Sequence, residues 1–347
     1  MVYVVIAYLW TAILLYLLLG GADFGAGIIE LFTSDNNKIK TSITMSRTIG
    51  PIWEANHMWL IIVIVILFTG FPEIYASVST YLHIPLLIML MGIIARGTAF
   101  AFRHYDAVED YMQVVYNKVF RFSSFITPFF LGIIAASAVS GTIDPDAKGF
   151  VDAYIFSWLH FFSVSVGLFT VCICGYLAAV FLIGETETAD ERRRYIVKAR
   201  SMNIAAILSG ALVFLAAAYD HVPLTEWLFG NPVGITAIAA ALVSLILQWV
   251  LIQHGQKIII RLLAGFQITM LLVATTFFHY PKIILLSGER YLSLMEHHGD
   301  DKTITSLGLA LLIGSVFILP ALFYLIYSFQ KKTGGGNLIN TNEQMSK

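Results

Sequence analysis

Apolar runs long enough to cross a bilayer follow one another from end to end of the chain, with short polar breaks between them. LIIVIVILFTGF after Trp59 and FTVCICGYLAAVFLIG after Leu168 are typical. A hydrocarbon core about 30 Å thick needs roughly 20 apolar residues as a helix. The runs predict nine spans, at 3–29, 56–78, 80–103, 118–140, 154–184, 202–220, 232–253, 258–280 and 304–328. They are too long and too uniform for the alternating strands of a barrel, so only helices can satisfy the backbone in lipid. The expected fold is all-α, a polytopic integral membrane protein with two four-helix bundles plus one peripheral helix. The spans are apolar nearly all round, as expected for helices that pack against lipid and against a partner. Residues 1–329 read as a single transmembrane domain, and the Gly-, Asn- and Lys-rich residues 330–347 as a disordered cytoplasmic tail.

Charge gives the spans a direction. Of the 21 Lys and Arg, all but Lys148, Lys282, Arg290 and Lys302 fall in odd-numbered connections, just inside them, or in the tail. By the positive-inside rule the N-terminus is outside and the C-terminus cytoplasmic. Eight spans would destroy that alternation. Composition agrees: 58% hydrophobic, 12% charged and a mean hydropathy of +0.79, against roughly 25% charged in soluble domains. The first apolar stretch spans by itself and is expected to stay as a helix rather than to be cleaved. A net charge of −1 gives no reason to expect nucleic acid. Cys172 and Cys174 point to different helix faces and read as packing residues.

Charges inside these spans are costly unless paired or hydrated, so they mark the places to examine. Asp23 stands in GGADFGAG, at the inner end of the first span. Glu54 and His57 open the second in PIWEANHMW, with Trp53 and Asn56 beside them. Arg96, about 24 Å along the third span, reaches the same inner leaflet, and Arg103 follows it. Arg96 is expected to pair with Asp23 or Glu54. Three uses of this layer stay open: an ion-pair cluster that locks the helices, a proton entry from the cytoplasm through Glu54, His57 and Asp23, or a polar site for a quinone headgroup or lipid.

Other chemistries are weaker. Glu54–His57 has the Glu-x-x-His spacing of di-iron bundles, which need a second such motif, and the chain has none. His160 and His279 both fall towards the outer leaflet and are the only histidines worth weighing as haem ligands, though nothing around them marks them so. Tyr219-Asp220-His221 reads as an interfacial cap. A secondary transporter with an inner-leaflet carboxylate site remains the alternative class, although the second half offers only Asn203, Gln248 and Gln267.

Four blocks in order, GGADFGAG, PIWEANHMWLI, FPEIYA and RGTAFAFR, resemble subunit II of the cytochrome bd-type quinol oxidases, including the cyanide-insensitive branch. The blocks lie within the first 105 residues, and the nine-span pattern extends the likeness over the whole length. The resemblance implies a cytoplasmic-membrane respiratory enzyme that oxidises quinol and reduces dioxygen to water. It also implies that haem b and haem d sit on a haem-bearing subunit I, with small accessory subunits attached in some cases. This chain would then be a helical scaffold with a hydrophilic path, and Glu54 would deliver protons. Where relatives carry an acid inside the last block, this chain has Ala101.

Overall fold

The computed structural model describes residues 1–33, 53–105, 111–186, 188–252 and 256–334, without the side chains of 53–55, 104–105, 111, 322–323 and 325–334. The first span is one apolar rod, Val2–Leu31. Within it α1 (Val2–Leu15) passes through a π-helical turn, Tyr16–Gly20, into α2 (Gly21–Leu31). Then come α3 (Trp53–Gly70), α4 (Pro72–Tyr81), α5 (His83–Tyr105) and α6 (Tyr111–Val139). The second half holds the short α7 (Phe150–Tyr154), α8 (Phe161–Glu185), α9 (Ala189–Tyr219), the short α10 (Leu224–Phe229), α11 (Pro232–Ile252), α12 (Lys257–Phe277) and α13 (Asp301–Gly334).

Eight of these helices are long and apolar enough to cross a membrane, and a bent pair brings the number to nine. That pair is where the expected span 56–78 breaks. Phe71 leaves helical geometry (φ −137°, ψ 63°), Pro72 starts α4, and the axes bend by 115°. Proline has no N–H to give to the preceding turn and suits the first position of a new helix.

Other boundaries move for local reasons. The expected 154–184 begins at Phe161, because His160 is extended (φ −134°, ψ 165°) and its ring caps α8 by accepting from Ser163 N. The expected 202–220 begins at Ala189: Thr188 accepts from Glu191 N, a capping-box start, and carries the charged turns into the same helix. The 118–140 span starts earlier, at Tyr111, and the last helix continues to Gly334, into the stretch read as tail. Residues 335–347 of that tail lie outside the described residues. The fold is all-α as expected, with one small antiparallel hairpin, β1 (Lys282–Leu285) with β2 (Tyr291–Ser293), beside the helices.

α1–α2, α3, α5 and α6 make one group and α8, α9, α11 and α12 the other, with α13 leaning on α1 and α3. The groups meet where α8, the most enclosed span, lies on α2 and α6. Lipid offers no hydrophobic drive for helices to associate, so close backbone approach and polar contacts hold such bundles. A Cβ on Gly25 would stand 1.9 Å from the Cys174 carbonyl oxygen of α8, and one on Gly27 2.2 Å from Ser124 Oγ of α6. The small residues of GGADFGAG are therefore what let α2 sit between its neighbours.

Candidate functional site

The buried charge of the first bundle forms two tiers between α2 and α5. In the deeper tier Arg96 donates from Nη1 to Asp23 Oδ2 (2.6 Å) and from Nη2 to Asp23 Oδ1 (2.8 Å). Nη2 also donates to the Asp23 carbonyl (2.9 Å) and Nε to Ser124 Oγ (3.0 Å). Both residues are 1% exposed. This is the bidentate geometry in which a planar guanidinium matches a carboxylate. The guanidinium also lies over the rings of Phe24 (5.1 Å) and Phe120 (4.9 Å), contacts that strengthen when desolvated. All three guanidinium nitrogens of Arg96 are thus engaged.

Two turns further along both helices, Arg103 donates from Nη1 and Nη2 to Glu30 Oε2 (both 3.1 Å). Arg121 of α6 brings Nε to 4.0 Å from Glu30 Oε1, and Phe120 lies under Arg103 (5.1 Å) as well as under Arg96. Lys198 of α9 donates to Thr33 Oγ1 (2.6 Å), which brings the second bundle to the same level.

The two pairs share one offset of 73 residues. Asp23 and Glu30 are seven apart on α2, and Arg96 and Arg103 seven apart on α5, so each rung repeats after about 10 Å. Equal spacing in the same direction means the first and third spans run parallel. The chain between them must cross once, and α3 with its bent continuation α4 makes that crossing.

Of the residues singled out from sequence, Asp23, Arg96 and Arg103 meet carboxylate or guanidinium partners here. His57 Nε2 stands 4.0 Å from Asp23 Oδ2, and Asn56 is buried on the same helix. Trp53 and Glu54 open α3, but their side chains lie outside the described ones. Ala101 is half-buried on α5 between the two arginines. Glu30 was missed, because at the end of an apolar run a lone Glu looks like a solvated terminus. The matching seven-residue spacings were the signal.

His160 and His279 are not brought into a ligand pair. His160 Nδ1 accepts from Ser163 N (3.3 Å) beside Asp220 Oδ2 (3.4 Å), and its Nε2 meets Thr142 Oγ1 (3.3 Å). With both ring nitrogens engaged it does not fit axial ligation. Asp220 in turn accepts from Phe162 N (2.6 Å), tying α9 to the start of α8. His279 packs edge-on against Trp227, 4.4 Å between centroids. Among the described residues no cluster of His, Cys, Asp and Glu could hold a metal ion.

In the second bundle Gln248 and Gln267 close on each other (Nε2 to Oε1, 2.7 Å) and on the hydroxyl of Tyr176. That local knot between α8, α11 and α12 is unlike the interrupted helix pairs a transporter site needs.

Comparison with known proteins places these features. A family model described as cytochrome bd terminal oxidase subunit II matches residues 1–329. The chain is 29% identical over 200 residues to cytochrome bd ubiquinol oxidase subunit 2 of Bacillus subtilis (strain 168), covering 56% of this chain and 57% of that one. It is 23% identical over 177 residues to cytochrome bd-I ubiquinol oxidase subunit 2 of Escherichia coli (strain K12), covering 49% and 46%. The chain therefore spans about half the length of these curated relatives. In fold it is similar to a chain of the bd oxidase from Geobacillus thermodenitrificans, with a TM-score of 0.74 at 21% identity over 94% of this chain and 98% of that one.

Proposed function

The chain belongs to the cytochrome bd terminal oxidase subunit II family, and from that premise we propose that it is the non-haem subunit of a respiratory oxidase that oxidises quinol and reduces dioxygen to water. The family match over nearly the whole chain carries the reading. The partner is a subunit I that holds haem b and haem d, and the complex lies in the prokaryotic cytoplasmic membrane with this chain's N-terminus outside. When bound on that partner, the haems supply the electron transfer and oxygen chemistry; this chain's part is structural and protonic.

Two features support that division. The family resemblance assigns the haems to the partner, and His160 here bonds through both ring nitrogens within its own chain. The two-tier ladder makes the first bundle a rigid wall, since a buried pair that loses one member leaves an uncompensated charge. Asp23 is held in place by two bonds from Arg96 to its carboxylate and one to its backbone carbonyl. Glu54 and His57, at the inner mouth of α3, are the groups placed to take up protons from the cytoplasm. Quinol releases its protons outside while dioxygen reduction draws protons from inside, so the turnover generates a transmembrane proton difference.

The test is purification with the haem-bearing partner, followed by an absorbance spectrum and oxygen consumption. A haem-containing complex with quinol-dependent oxygen uptake supports the reading, and a colourless chain that moves solute overturns it. In that complex Glu54→Gln is expected to lower turnover several-fold with haem content kept. Unchanged turnover would remove the protonic role, and lost haem would make Glu54 structural.

A further inference from the structure

The π-helical turn Tyr16–Gly20 lies one level outward of Asp23 in the first span. Such turns are rare in α-helices and concentrate at functional places. Tyr16 is 5% exposed and Trp59 of α3 is 7% exposed, and both belong to one cluster with Ala12 and Phe24. Among the described residues neither Tyr16 Oη nor Trp59 Nε1 meets a hydrogen-bond partner. Two such donors in one apolar cluster are unusual, because buried polar groups are nearly always bonded to protein or to ordered water.

The same cluster borders the ladder. The Tyr16 ring lies 6.3 Å from Phe24 and 6.4 Å from His57, and Phe24 lies 5.8 Å from His57. His57 Nε2 and Asp23 Oδ2, 4.0 Å apart, are too distant for a direct hydrogen bond, yet one water can bond to both from the side. Water accepts and donates, so it can take the O–H of Tyr16 and the N–H of Trp59 and still donate towards a carboxylate or an imidazole nitrogen.

We infer that Tyr16 and Trp59 hold internal water between the π-helical turn and α3, and that this water links His57 to the buried Asp23–Arg96 tier. Tyr16 and Trp59 are then positioning residues for the protonic role. The water site stands by itself; the link to turnover rests on the proton path proposed above. The Tyr16 ring packs on Gly20 at the other end of the π turn, 3.0 Å from where a Cβ would stand.

The experiment uses the intact two-subunit oxidase. Tyr16→Phe removes only Oη and keeps the ring on Gly20, and Trp59→Phe removes the indole N–H together with its five-membered ring while keeping a buried aromatic. Redox-triggered infrared difference spectra are recorded in ordinary and in oxygen-18 water. The expected result is a buried-water O–H band, shifted by the heavy isotope, that is lost in both variants, together with a several-fold fall in turnover and unchanged haem content. An unchanged band in both variants overturns the site. A lost band with wild-type turnover overturns the link to catalysis. A structure of the complex in which Tyr16 Oη bonds to a protein side chain also overturns it. Failure of the proton path itself is read separately, from Glu54→Gln with undiminished turnover.

Discussion

Arg96 shows why an intramembrane charge can be both costly and fixed. Its guanidinium spends two nitrogens on one carboxylate and a third on Ser124, and it lies over the rings of Phe24 and Phe120. Removing it by Arg96→Ala leaves Asp23 charged and buried, a change that costs about 3–5 kcal/mol. The expected outcome is a clear fall in the thermal midpoint of the detergent-solubilised subunit. Replacing both members by apolar residues, Asp23→Leu with Arg96→Met, removes the uncompensated charge and is expected to be more stable than either single variant; a double variant worse than both singles would refute the account. The cost of charge in lipid made Asp23, His57 and Arg96 legible without any structure. Which carboxylate met Arg96 was not legible, since Asp23 and Glu54 both lie at the right depth and only side-to-side packing separates them. Glu30 was illegible for the opposite reason: its position at a span end made solvent the default partner.

At the scale of elements, packing depends on small residues and on how helix ends are closed. Gly25 lets α2 touch the α8 backbone, so Gly25→Ala forces a methyl into a carbonyl and is expected to cost about 1–3 kcal/mol as an overpacked contact. Its readout is a lower thermal midpoint, with Gly21→Ala as the mild control, where the nearest atom to an added Cβ is 3.4 Å away. In the second bundle basic residues close helix ends: Arg192 donates to the Ile252 carbonyl (3.2 Å), Lys257 to that of Thr186 (3.1 Å) and Arg261 to that of Phe181 (2.6 Å). Positive charge at helix C-termini is favourable in its own right. The β hairpin engages two of the basic residues that break the charge pattern. Arg290 reaches Asp146 (2.8 Å) and Asp144 (3.8 Å), and Lys282 lies 3.9 Å over the Tyr291 ring. The Asp146 N–H, the Ser287 hydroxyl and Arg290 hold the Asp144 carboxyl below the usual carboxylate range. A lowered folded-state pKa means the stabilisation is present above the ordinary value, about 4, and is lost as pH falls through the folded one. Limited proteolysis of the hairpin is therefore expected to be slow at neutral pH and to quicken below about pH 4. Asp144→Asn should be cut faster at neutral pH and lose most of that pH dependence.

The whole molecule was largely legible because hydropathy and charge alternation act over long windows that local detail does not disturb. The break at Phe71 was not legible as a bend, since Met58–Val78 reads as one largely apolar sequence with a single proline, Pro72, and proline both starts helices and kinks them. The π turn left no mark on the apolar pattern at all. Direction is where sequence and packing now bear on one question from independent sides. The charge count needs nine crossings to keep basic residues inside. The ladder needs the first and third spans parallel, because Asp23 with Arg96 and Glu30 with Arg103 keep one offset. Both are satisfied only if α3 with α4 counts as a single crossing. Reporter fusions test this directly: an alkaline phosphatase domain, active only outside, joined after Tyr81 and after Asp220 is expected to be active. The same domain joined after Arg194 or at the C-terminus is expected to be silent, where a fluorescent protein that folds in the cytoplasm should light up. Activity after Arg194, or silence after Tyr81, would mean that the bent pair is a re-entrant hairpin and that the two rungs join antiparallel helices, which their common spacing forbids.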